Sequence, residues 1–277
     1  MVNTLVIVNG ENFWADYFPE LDVQHIRLQT CKWLLRDGKL WVFDTAAQKA
    51  VRVDNILWRL GAVRPFPNHR AVLELVRYAQ IPCLNSPQFL LRCFDRLSML
   101  NELREIGLPI VPFTAVIGAE VMPQVKPELP AVIKVGSYHA GYGKMQLSTI
   151  EQWQDMMDMV FITDDYFTIE PFIDYERDIR CLAIKDHVWA LSRSGSRWKA
   201  NTGIVDNELI PAPDILHEYT LRAVQHFNAD VLALDILKTH DERYIVLECN
   251  EVPGLAGFPV SVIEATVAVM KAKISLV

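Results

Sequence analysis

The sequence predicts an α/β protein with α+β character, and three stretches carry the prediction. Through residues 1–84, short apolar runs alternate with stretches of helical spacing, the pattern of a small layered α/β domain. Residues 129–145, LPAVIKVGSYHAGYGKM, read as a short buried strand, a glycine-rich loop and a returning strand. Residues 231–237 and 244–250 flank a polar turn and read as an antiparallel pair.

The remaining elements follow in chain order. Residues 4–8 form a first strand closed by Asn9-Gly10, and the segment up to about residue 36 is expected to hold a helix. Asp37-Gly38 marks a hairpin between KWLLR and KLWVF. The run NILWRL at 55–60 is apolar with Arg59 inside it, and residues 69–80 have helical spacing through Val72, Leu75, Val76 and Ala79. Asn85-Ser86-Pro87 starts a helix, with a capping serine and a proline at the first helical position. That helical pattern runs to about residue 105 and breaks near Asp95, and Gly107-Leu108-Pro109 stops it. A strand is expected at 111–116, a loop at 118–128, a helix at 149–159, and a strand entering a turn at 168–174. Residues 178–184 and 188–193 pair across Lys185-Asp186, and helices are expected at 213–228 and 260–273.

Composition narrows the class. At 51% hydrophobic and 22% charged, 277 residues can bury a sizeable core. A net charge of −7 argues against a broad surface for nucleic acid or anionic membrane, so neither is an expected partner. Five cysteines, an odd number with no CxxC pair, point to reduced thiols and a cytoplasmic protein rather than to zinc or a disulfide framework. The N-terminal run has no basic region or cleavage site before it meets a polar turn, and no apolar run approaches the roughly 20 residues that span a bilayer. A homodimer is the commonest assembly for such a chain.

Two local patterns carry chemistry. Lys134 interrupts the apolar run 131–133, and a buried ammonium needs an anion. Gly136, Gly141 and Gly143 let backbone N–H groups come close to a phosphate, and Lys144 follows them. The plainer alternative is a hairpin turn with two solvated lysines. In the C-terminal hairpin, a turn centred between Asp241 and Glu242 sets Asp235 opposite Glu248, with Val246, Glu248 and Asn250 sharing a face. Facing carboxylates repel unless a divalent cation lies between them, and oxygen ligands suit magnesium. The alternative, a solvent-side face, is opposed by the apolar neighbours Ala233, Leu237 and Val246. Arg177, Arg180, Arg193, Arg197 and Lys199 form a basic cluster able to hold phosphates or carboxylates, or a solvated edge, although Trp198 counts against a plain loop. Several patterns are absent. Tyr142 stands where a Walker A loop needs lysine, GxGxxG is incomplete, GxSxG does not occur, and no local Cys–His pair forms a nucleophile.

Taken in order, the lysine ending a strand, the glycine loop, Glu170-Pro171-Phe172-Ile173 and the Asp235…Glu248-Cys249-Asn250 set resemble the ATP-grasp superfamily. Residues 134–144 and Trp198-Lys199-Ala200-Asn201-Thr202-Gly203 are similar to the synapsins. Asp178-Ile179-Arg180-Cys181, Asp235-Ile236-Leu237 and the run ECNEVPGL from Glu248 look like RimK-type glutamate ligases. The likeness covers residues 85–277 well and continues weakly upstream through Trp58-Arg59-Leu60-Gly61. It implies an ATP-grasp domain at 85–277, with a smaller lobe at about 110–168 and a C-terminal lobe at about 169–277 clamping ATP, preceded by a Rossmann-like α/β domain at 1–84.

The resemblance also implies roles. Lys134 contacts phosphates, and the loop bearing Gly141, Gly143 and Lys144 closes over them. Glu170 and the backbone of Pro171, Phe172 and Ile173 hold adenine, Asp178 lies near the ribose, and Lys199 and Asn201 reach the triphosphate. Asp235, Glu248 and Asn250 bind Mg²⁺, with Mn²⁺ as an alternative. Arg180 and Arg193 face the substrate or an acyl phosphate, so Lys134, Arg193 and Asn201 would form the catalytic set. The family has Asp-Lys where this chain has Asp95-Arg96, which keeps the charge of a phosphate contact but alters its geometry. The implied activity is ATP-dependent ligation of a small-molecule or peptide carboxylate to an amine through an acyl phosphate, releasing ADP and phosphate. Arg59 is the candidate for binding a substrate carboxylate. The alternatives are a synapsin-like ATP-binding scaffold and a phosphotransferase.

Overall fold

The computed structural model describes residues 3–45, 47–59, 67–118, 124–138, 141–161, 163, 165–195, 198 and 205–275. The first strand, β1 (Thr4–Val8), is buried on both faces, as its unbroken apolar run requires. A six-residue 3-10 turn (Asn12–Tyr17) leads to β2 (Asp22–Ile26). The helix expected before residue 36 is therefore only this turn, and β2 lies parallel to β1 instead. The next strands are β3 (Cys31–Arg36), β4 (Lys39–Asp44) and β5 (Lys49–Val53), and they form an antiparallel sheet of their own. Asp37 and Gly38 both take positive φ, which closes the β3–β4 hairpin in the twist its strands favour. Then come β6 (Asn55–Trp58), α1 (Pro67–Tyr78) and β7 (Cys83–Leu84). Strands β2, β1, β6 and β7 line up in that order, all parallel.

Ser86 accepts a hydrogen bond from the Phe89 amide and starts α2 (Pro87–Arg92), as its sequence dictates. Asp95 restarts the helix as α3 (Arg96–Glu105), taking the Ser98 amide at 2.9 Å and the Ser98 hydroxyl at 2.8 Å. Asp95→Ala is expected to cost about 1 kcal/mol. Urea unfolding checks this, and an unmoved midpoint would show that the cap carries no energy.

A four-stranded antiparallel sheet follows, built from β8 (Thr114–Val116), β9 (Ala131–Val135), β10 (Lys144–Leu147) and β11 (Phe167–Pro171), in the order β10-β9-β11-β8. The expected strand at 111–116 is only its last three residues. Helix α4 (Ile150–Phe161) covers one face, with Trp153 and Met156 packed against Ile133 and Phe167. The last sheet is formed by β12 (Tyr175–Ile184), β13 (His187–Gly195), β14 (Val205–Ile210), β15 (Val231–Thr239) and β16 (Tyr244–Asn250). Its order is β14-β13-β12-β15-β16. One face buries Leu232, Leu234, Ile236 and Val246 against α3 and α5 (Asp214–Phe227). The final helix, α6 (Val260–Ser275), packs Val262 and Met270 between this sheet and Leu5 and Ile7 of β1.

The buried Asn85 side chain fastens the parallel sheet to the hairpin. Its amide nitrogen donates to the carbonyls of Val231 (2.5 Å) and Glu251 (2.6 Å), and its oxygen accepts from the amides of Asp230 and Val231. A polar side chain at that depth is stable because every hydrogen-bonding position is used.

Candidate active site

A cleft lies between the four-stranded and five-stranded sheets. Lys134, Lys144 and Glu170 enter it from β9, β10 and β11; Asp178, Arg193, Asp235 and Glu248 enter from β12, β13, β15 and β16. Pro171, Phe172 and Ile173 line it where the chain passes from one sheet to the other. Val132, Leu237 and Leu247 add an apolar wall.

Register explains the meeting of the two acidic residues. Asp235 is the cross-strand partner of Glu248, as expected, but the route differs. The strands below pair Ile236 with Val246, so Leu247 is an extra residue in a β-bulge. The bulge breaks the alternation, and Val246 is fully buried in the core with Cys249 while Leu247 and Glu248 both face the cleft. The expected sharing of one face by Val246 and Glu248 is therefore wrong, because strict period two holds only for an unbulged strand. The bulge also leaves the Leu247 carbonyl able to accept from Arg96 at 3.4 Å.

Charges alternate across the cleft. Buried Glu170 accepts from Lys134 and, at 2.9 Å, from Arg96. Arg96 Nη1 lies 3.6 Å from Glu248, and Lys144 Nζ lies 3.3 Å from the same carboxylate. Deeper in, Arg180 grips Asp235 with two bonds of 2.8 Å. Arg193 bonds Asp178 and also lies 3.3 Å from Asp235. Asn250 donates its amide nitrogen to Asp235 at 3.3 Å, which leaves its oxygen as an acceptor.

These contacts perturb the titrations. Burial, reinforced by the Arg96 charge, pushes the Lys134 ammonium down to about 7 against the pull of Glu170. Burial works against ionisation of Glu170, but Lys134 and Arg96 outweigh it and hold the carboxyl below its usual range. Asp235 is held low in the same way by Arg180 and Arg193. Asp178 goes the other way, to about 6, because burial and the neighbouring Asp235 charge outweigh Arg193.

The structure brings most of the sequence-predicted residues into this one place, with differences. Glu170 directs its carboxylate at two cations, so only the backbone of the 170–173 segment is left to meet a base. Arg96 is buried behind the cleft between Glu170 and Glu248. Arg180 reaches the site through Asp235. Gly141 and Gly143 take positive φ in the turn that enters β10, and a Cβ on Gly143 would stand 2.9 Å from the Val135 carbonyl. Arg59 is not among the cleft walls: its guanidinium lies over the Trp14 ring, 4.9 Å from the centroid. Lys199, Asn201, Arg197, His139 and Ala140 lie outside the described residues, as do Leu60 and Gly61. Sequence reasoning missed Tyr175, whose hydroxyl donates to the Trp198 carbonyl at 3.3 Å, and Leu247. Tyr175 precedes the alternating run and Leu247 sits on a bulge, so periodicity marks neither.

Residues 96–256 match the family model of the synapsin ATP-binding domain. The chain belongs to that family. The matched span runs from Arg96 through every wall of the cleft to the segment after Asn250. Among curated proteins, this synapsin-domain chain is similar to the glutamate–LysW ligase ArgX of Sulfurisphaera tokodaii, at 24% identity over 232 residues, covering 78% of this chain and 82% of that one. Among solved structures it is similar to D-alanyl-alanine synthetase A from Vibrio cholerae, with a TM-score of 0.75, 13% identity and 99% of each chain covered. It is also similar to the ATP-grasp ligase PsnB complexed with a phosphomimetic variant of its minimal precursor, Mg and ADP (TM-score 0.69, 16% identity, 99% of this chain and 100% of that one). The fold is ATP-grasp. Among the described residues, no helix is long and apolar enough to cross a membrane.

Proposed function

We propose that this chain is an ATP-dependent carboxylate–amine ligase that works through an acyl phosphate. The observation that carries the reading is the meeting, in one cleft, of two lysines from one sheet with two facing carboxylates from the other. The lysines suit a triphosphate. Asp235 (whose oxygens would be shared with Arg180), Glu248 and the free oxygen of Asn250 form an all-oxygen donor set that would hold Mg²⁺, which would neutralise charge on the phosphate oxygens as the bond from the γ-phosphorus to its bridging oxygen breaks.

The chain's own residues do the rest. Lys134, oriented by Glu170, and Lys144 hold the phosphates, while Phe172 and Leu247 flank the base. A substrate carboxylate attacks the γ-phosphorus, giving an acyl phosphate and ADP. The amine then attacks the acyl carbon, phosphate leaves with the C–O electron pair, and the nitrogen gives up a proton. Arg193 supplies fixed positive charge for the oxygens of the acyl phosphate. The relatives' names support this reading, since those cited are ligases and synthetases.

ADP release, measured over a panel of carboxylate and amine pairs, tests it. Tight ATP binding without turnover on any pair would overturn it and favour the synapsin-like ATP-binding scaffold, which the family match supports as a second reading. In the active system Glu248→Gln is expected to lower turnover by about 10²–10³-fold. The urea midpoint should barely move, because Glu248 is only partly buried. Retained turnover would remove Glu248 from the proposed metal set.

A further inference from the structure

The sheet of β3, β4 and β5 presents two different faces. Its inner face buries Leu40, Val42, Val51 and Val53 against the parallel sheet. The register places Leu34 opposite Trp41 and Lys32 opposite Phe43 on the outer face. Leu34 is 55% exposed and Phe43 36%. The same face carries Arg36, Lys39 and Arg52, and no Asp or Glu occupies any of its strand positions. Two of these cations have an acidic neighbour in an adjoining turn: Arg36 lies 3.6 Å from Asp37, and Arg52 lies 2.6 Å from Asp54. A basic, aromatic face is a local feature in a chain of net charge −7.

The edge of this sheet matters as much as its face. Strand β3 is outermost, and among the described residues no strand pairs with its free side. Next to it a groove of about 670 Å³ separates Leu35 from the end of α1, where Leu75 and Tyr78 form the apolar part of a wall that also carries Gln80, Gln88 and Glu74, the last paired with Arg77 at 2.6 Å. Tyr78 is 73% exposed. An unpaired edge beside a groove with an apolar wall is a template for another strand.

We propose that β3 docks an extended acidic segment of another polypeptide, which adds to the sheet as a further strand. Side chains of a strand alternate in direction, so the segment would present Asp or Glu to Lys32 and Arg36 on one side. On the other side its apolar side chains would enter the groove beside Leu35 and Tyr78. A polypeptide is favoured over nucleic acid or an anionic membrane because only a backbone can satisfy the edge amides and carbonyls. The inference concerns recognition rather than chemistry, and it stands whether or not the ligase reading does.

The test is a selection of displayed random peptides, about twelve residues long, on the full chain. Enriched peptides should alternate acidic with apolar residues. A synthetic copy should bind the Lys32→Glu/Arg36→Glu variant about tenfold more weakly or worse, and N-methylation of alternate amides should abolish binding. The variant's ATP affinity should be unchanged, showing that the fold is intact, and ADP release is followed separately. Several outcomes would overturn the proposal: no enrichment, enrichment without acidic bias, or binding indifferent to the variant or to N-methylation. Tighter binding of oligouridylate or phosphatidylserine vesicles than of the peptide would overturn it as well.

Discussion

Replacing Asp235 by alanine should destabilise the chain by about 3–5 kcal/mol and abolish turnover together. The carboxylate holds Arg180 with two hydrogen bonds and lies 3.3 Å from Arg193, and all three side chains are largely out of solvent. Its removal leaves two buried guanidinium groups to share the one carboxylate of Asp178 and the charge of Glu248. The cost comes from uncompensated buried charge rather than from the loss of a favourable contact. Urea unfolding of Asp235→Ala beside Glu248→Gln separates the two roles, since both should lose turnover and only the first should lower the midpoint. If Arg180→Met is added to Asp235→Ala, part of the stability should return. A midpoint that stays put in Asp235→Ala would show that the arginines find other partners and that this account of the core is wrong.

Nucleotide affinity should depend on pH through Lys134, and the dependence should vanish in Lys134→Met along with most of the affinity. The ammonium loses its proton at about 7 in the free protein, and phosphates bind the charged form. Above that pH each binding event must first restore the proton, so affinity should fall about tenfold per pH unit. Calorimetry in two buffers of different ionisation enthalpy should show proton uptake on binding at about pH 8, and none in the variant. Absence of uptake in the parent chain would mean that Glu170 keeps Lys134 charged throughout. Stability has its own linkage. The unfolded chain keeps this proton up to the ordinary lysine value of 10.5 and the folded chain only to about 7. The unfolded state therefore binds more protons between those values, and the Lys134 contribution to stability rises with pH across that window.

Much of this architecture is legible in the chain because local rules and tertiary demands coincide. Ser86-Pro87 and Asp95 mark helix starts because side-chain oxygens there meet amides that the helix leaves unpaired. The β3–β4 hairpin is legible because Asp37-Gly38 tolerates the positive φ that its turn needs. Asp235 and Glu248 are paired in the sequence by a turn centred between Asp241 and Glu242, whereas in the structure the turn is centred on Asp241 and the bulge at Leu247 supplies the missing step. The failures lie where a tertiary partner decides. The run DVQHI becomes a parallel strand only because β1 lies beside it, and nothing within five residues states that. The Glu170 carboxylate is turned inward by Arg96, a residue far away in sequence, so a local motif could not show where it points. The bulge at Leu247 is likewise invisible to a count of alternating residues.

That bulge also bears on how such sites are searched for. A motif that fixes the number of residues between the two acidic positions assumes a regular ladder, whereas here the ladder absorbs one residue and still brings Asp235 opposite Glu248. A chain lacking the extra residue would keep the same two side chains together and differ by one in spacing. Distant relatives of this hairpin are therefore better recognised by a spacing that is elastic by one position, with Leu247 as the place where the gap belongs.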